Sequence, residues 1–155
     1  MKVLILCFLI GYILPFSPDK CAAEALKLCD MEFHWSSSTL TQIGFIQLCM
    51  REGGLDLDCL YLPNPGHDGN LEILQYCLIQ KGWKVFKKRP QCFKVGYPLV
   101  IEFDDIAPRY PSYLAIATYV DSKTIKYSMR HPNLCDVELP NKTTGIKAIT
   151  YFCPL

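Results

Sequence analysis

The chain has 155 residues, half of them hydrophobic, and a formal net charge of +1. That length supports a single domain with a substantial core. Near-balanced charge leaves no electrostatic footprint for nucleic acid or an anionic membrane surface, so neither is expected as a partner.

Part of the apolar excess lies at the N-terminus. Met1-Lys2 followed by Val3 through Leu14 reads as a basic n-region and an apolar h-region. The run is too short to span a bilayer and fits a secretory leader. Residues 1–20 are assigned to that leader and 21–155 to one domain. Ser17 or Ala23 would serve as the cleavage point, and Pro18 makes the first awkward. No other apolar run is long enough for a span, so a secreted, soluble product is expected.

Cys7 falls inside the leader. Cys21, Cys29, Cys49, Cys59, Cys77, Cys92, Cys135 and Cys153 remain. Eight is even, and an oxidising compartment makes a disulfide framework the default, with its connectivity left open. Cutting after Ala23 would discard Cys21 and leave an odd thiol, which favours a cut before Cys21. Full pairing would leave no thiolate for catalysis.

Residues 22–29 are good helix formers and predict a short first helix. A central helix follows over Thr41–Gly54, where Ile43, Ile46 and Met50 recur on one face. Ser36-Ser-Ser-Thr39 offers caps for its start, and Gly53-Gly54 stops it. Leu55–Gly69 reads as loop. Asp68 or Asn70 then caps a third helix, with Leu71, Leu74 and Leu78 inward and Gly82 closing it. Beyond Gly82 come strands at Trp83–Lys87, Pro98–Phe103, Tyr113–Val120, Thr124–Met129 and Ile146–Phe152, with a short hairpin at Asp121-Ser122-Lys123. Helices first and an antiparallel meander after them make an α+β fold. The cluster Lys84, Lys87, Lys88 and Arg89 reads as a solvated strand end. Asn141-Lys142-Thr143 is a glycosylation sequon in a polar loop.

The order Gln42-Ile-Gly-Phe45-Ile46-Gln-Leu-Cys49-Met50-Arg-Glu-Gly53-Gly54 resembles the nucleophile helix of the papain-like amidase and peptidase superfamily, which includes the CHAP, NlpC and putative-amidase families. Their helix runs Asp-Cys-x-x-Phe-Val-x-x-Cys-Leu-x-x-Gly-Gly, so Gln42 stands where the catalytic Cys would be. Lys94-Val-Gly-Tyr97-Pro98 resembles the family's Gly-Asp strand entry, with Tyr97 in place of Asp. Tyr113-Leu114-Ala-Ile-Ala-Thr-Tyr-Val-Asp121 resembles the strand that carries the catalytic His, here Leu114. Thr124–Pro132 resembles the next strand, whose end orients the base; Arg130 takes that place, with His131 beside it. The resemblance covers residues 36–139 and implies a papain-like sheet, disulfide-stapled here, with N-terminal helices packed on it.

Amidase chemistry of this kind needs a Cys at a helix N-terminus, a His base within reach, and a polar group fixing that His. Gln, Leu and Arg supply none of these roles. The resemblance therefore implies a pseudoenzyme, needing no cofactor. Substitute chemistry finds little footing. Cys49 with His131 would lie about two turns from the helix start, outside its N-terminal field. Ser36, Ser37 or Ser38 with His34 reads more simply as a capping cluster. His34, His67 and His131 lack metal-ligand spacing, so no metal is expected. Asp104 and Asp105 are adjacent and point apart on a strand, which suits a turn.

The expected function is a secreted, inactive amidase-like protein holding a peptide or peptidoglycan fragment through Gln42, Arg130 and His131. Two alternatives stand beside it. One is an active secreted cysteine amidase acting on cell-wall peptides. The other is a disulfide-rich module binding an extracellular protein, with Tyr97, Tyr110, Tyr113 and Tyr119 as possible surface aromatics.

Overall fold

The computed structural model describes residues 15–31, 41–60, 70–104, 112–130, 133–140 and 145–154. Three helices and one six-stranded sheet make up the described residues: α1 (Pro18–Leu28), α2 (Gln42–Glu52), α3 (Asn70–Gln80), β1 (Trp83–Phe86), β2 (Pro98–Phe103), β3 (Ser112–Val120), β4 (Ile125–Met129), β5 (Leu134–Glu138) and β6 (Ile146–Pro154). The class is α+β, as the order of helical and strand patterns predicts. Every ladder is antiparallel, in the order β1-β6-β2-β3-β4-β5.

β2 and β3, the strands with the longest apolar runs, lie in the middle of the sheet. Leu99, Val100, Ile101, Leu114, Ala115, Ile116 and Ala117 are all fully buried, so both faces of these strands are covered. β5 is the element that alternation does not announce. It is a short edge strand with mostly exposed residues, and Asp136 takes φ 51° within it. Thr118 donates to Asp136 Oδ1 at 2.9 Å, and Asp136 N donates to Ser128 Oγ at 2.9 Å, which holds that turn of backbone in place.

α1 starts earlier than the helix-former run indicates, because Pro18 presets the φ of its first turn. Phe16 meets Trp83 edge-on with centroids 5.4 Å apart, and Ser17 N donates to Gly53 O at 2.7 Å. The folded unit thus reaches back to Phe16, inside the stretch assigned to the leader. Cys21, Ala22, Ala25 and Leu28 form the buried stripe of α1.

Six cysteines pair as Cys29–Cys135, Cys59–Cys77 and Cys92–Cys153, with Cα atoms 5.5, 5.5 and 6.1 Å apart. Together they tie α1 to β5, the segment after α2 to α3, and the β1–β2 connection to β6. The expectation that all eight pair is not met here: Cys21 and Cys49 are buried thiols. No helix among the described residues is long and apolar enough to cross a membrane.

Candidate functional site

The N-terminus of α2 is capped by Thr41, whose Oγ1 accepts from Gly44 N at 3.0 Å. Ser36–Thr39, the caps expected from sequence, lie outside the described residues, and Thr41 fills the role by the same chemistry. Gln42 is the first residue of the helix and is buried. Its Oε1 accepts from the backbone N–H of Leu114 on β3 at 3.2 Å.

Leu114 lies at the end of a ladder. The β3–β4 register begins at Ala115↔Met129, so Leu114 and Arg130 each flank that terminal pair of the ladder. The Arg130 guanidinium donates to Leu28 O at 2.7 Å, placing a cation on the last carbonyl of α1. Gln42, Leu114 and Arg130 thus come from three different elements and assemble at one end of the sheet.

Exposure at these three positions is 7%, 0% and 6%. Their polar groups serve as internal ties: Gln42 joins α2 to β3, and Arg130 joins the end of β4 to α1. The assembly holds an amide oxygen, an amide N–H group and a guanidinium, which match amides and carboxylates in chemistry. Among the described residues, these three side chains bring no nucleophile or base to it. The chain segments next to these residues, 32–40, 105–111 and 131–132, lie outside the described residues, and with them His34, Ser36, Ser37, Ser38, Asp105, Tyr110 and His131.

Cys49 lies apart from this assembly. It is fully buried seven residues along α2 from Gln42, about 10 Å by helical rise. Burial, then the charges of Cys21 and Glu24, push its thiol far above the usual cysteine range. Cys21 is pushed up in the same way, by burial first and Glu24 second. A nucleophilic cysteine needs the opposite environment.

The ligand-type atoms of Cys29, Asp30 and Cys135 lie within 4.8 Å of one another, but both sulfurs are consumed in a disulfide and offer no thiolate to a metal. His67 and Asn141 lie outside the described residues. Asp104 N donates to Gly145 O at 2.9 Å, one step beyond the last β2–β6 pair, and Asp105 lies outside the described residues. Tyr97 is buried among Phe16, Trp83 and Phe93, while Tyr119 is exposed and donates to Asp121. A cavity lined by Asp58, Cys59, Gln80 and Lys81 is built on other elements, around the 3.2 Å Lys81–Asp58 ion pair.

Sequence reasoning missed the partners of Gln42 and Arg130. Both are backbone groups remote in sequence, and composition carries no signal for them. Comparison with protein-family models, with curated proteins and with solved structures returned no match for this chain.

Proposed function

We propose that this chain is a secreted, disulfide-stapled, amidase-like protein that has lost catalysis and acts by non-covalent binding. The observation that carries this reading is the contact between Gln42 and Leu114. In support, Gln42 at the start of α2 accepts from the backbone N–H of Leu114 on β3, and these are the positions that the resemblance aligns with nucleophile and base. A carboxamide and an alkyl group occupy them. Three disulfides fit an oxidising compartment.

The ligand class implied by the resemblance is a peptide or peptidoglycan fragment, with Gln42, Arg130 and His131 as its recognition groups. Gln42 and Arg130 already bond Leu114 N and Leu28 O, so a ligand here competes with internal hydrogen bonds. That competition favours modest affinity. A second reading, an extracellular protein as partner, is favoured by Tyr76 and Ile79, which stand 62% and 51% exposed one turn apart on α3.

The test measures hydrolysis of peptidoglycan and of amide-linked peptides, and binding of muropeptides by calorimetry, for the wild type and Arg130→Lys. No hydrolysis with saturable binding weakened in Arg130→Lys supports the cleft reading. Turnover overturns the loss of catalysis, and absence of muropeptide binding passes the function to the protein-partner surface.

A further inference from the structure

Six of the eight cysteines beyond Cys7 are already paired, and the two that remain sit on helices that pack against each other. Cys21 is on the inward stripe of α1 and Cys49 on that of α2; both are 0% exposed. Cys21 Sγ lies 3.8 Å from the sulfur of Met50, the residue that follows Cys49 on α2. A charge on Cys21 also bears on Cys49, as it must when two groups share one low-dielectric interior.

We propose that Cys21 and Cys49 are a fourth redox pair, closing to a disulfide that staples α1 to α2. The oxidant is a disulfide of the secretory compartment, so this inference rests on the secreted reading above. The Cys21 and Cys49 S–H bonds and the S–S bond of the oxidant break. One S–S bond forms between α1 and α2, and the two electrons and two protons leave with the oxidant as two thiols. Because both thiols are buried and hard to ionise, closure happens while the helices are still docking.

The staple would hold the two helices that carry the site: α2 presents Gln42, and α1 ends at Leu28, whose carbonyl receives Arg130. It also requires that leader removal leave Cys21 in the mature chain. Closing a loop of roughly 28 residues corresponds to about a hundredfold or more in the folding equilibrium constant.

The experiment is peptide mapping without reductant on protein taken from the culture medium. Alkylation is carried out after unfolding, and N-terminal sequencing is run in parallel. The same protein, reduced, is also refolded in a glutathione redox buffer. A Cys21–Cys49 cross-linked peptide in both samples is expected, with a denaturation midpoint above that of Cys21→Ala/Cys49→Ala. Two alkyl groups on Cys21 and Cys49 in both samples would overturn the pairing, as would a mature N-terminus beyond Cys21. Cross-linking only in the glutathione sample, with no export to the medium, would uphold the pairing and overturn the secreted reading.

Discussion

Gln42 Oε1 lies 3.2 Å from Leu114 N, although 72 residues separate them in the chain. Leu114 stands just beyond the first β3–β4 pair, where a strand N–H needs an acceptor from elsewhere. The carboxamide supplies it. Gln42→Met keeps the length and removes the acceptor, so it should cost about 1–3 kcal/mol. Urea denaturation checks this; a change within experimental error would mean that water replaces the contact at no cost.

Arg130 acts on the opposite neighbour. Its hydrogen bond to Leu28 O neutralises the negative end of α1. Arg130→Met is expected to lose about 1.5–3 kcal/mol, and Arg130→Lys less, since a charged donor survives. Hydrogen exchange localises the effect: protection should fall first in the last turn of α1.

Introducing the residues that the resembled enzymes carry tests the resemblance itself. In Gln42→Cys/Leu114→His, the introduced thiol would sit beside an imidazole at a helix N-terminus, an arrangement that lowers a thiol pKa to about 3.5–7.5. Alkylation by a small electrophile at neutral pH should be roughly tenfold faster than in Gln42→Cys alone. Equal rates would show that the two positions do not face each other as the enzymes require.

Alkaline pH should destabilise the fold. Burial raises the phenol pKa values of Tyr127 and Tyr151 above the ordinary 10.0, with Arg89 partly opposing the rise at Tyr151. A raised acid pKa means the unfolded chain loses its protons first. The stability contribution is therefore whole below pH 10 and is lost as pH rises toward the folded-state values. Thermal midpoints should fall above that pH, and less steeply in Tyr127→Phe.

Gly96 has φ +88°, and a Cβ there would overlap the backbone of Pro18. Gly96→Ala is expected to cost more than about 1 kcal/mol, because strain and displacement of the α1 start combine. Gly54 has φ +95° with open space around it, so Gly54→Ala isolates the strain alone. The difference between the two denaturation midpoints measures how firmly residues 16–18 are docked.

Much of the fold is legible without coordinates. The Ile43/Ile46/Met50 stripe, the Leu71/Leu74/Leu78 stripe and the β-branched runs of β2 and β3 give the elements, because burial imposes their period on the residues themselves. The hairpin at Asp121 is equally local: its Oδ1 accepts from Lys123 N at 2.8 Å and Thr124 N at 2.7 Å. β5 was not legible, since its exposed residues carry no apolar alternation and its pairing depends on β4. The start of α1 is not legible from helix propensity, since Pro18 at its first turn and the packing of Phe16 on Trp83 set it.

By itself the sequence determined most of the helix and strand stretches, which residues (Gln42, Leu114 and Arg130) stand at the positions that the resemblance marks, and the presence of eight cysteines beyond Cys7. Those are properties of residue types and of spacing along one chain. Only the tertiary structure decided which cysteines pair, that Gln42 reaches Leu114 N, that Arg130 reaches Leu28 O, and that these groups lie buried. Contacts across 72 and 102 residues depend on how helices settle on a sheet, and that is set by packing of the whole core.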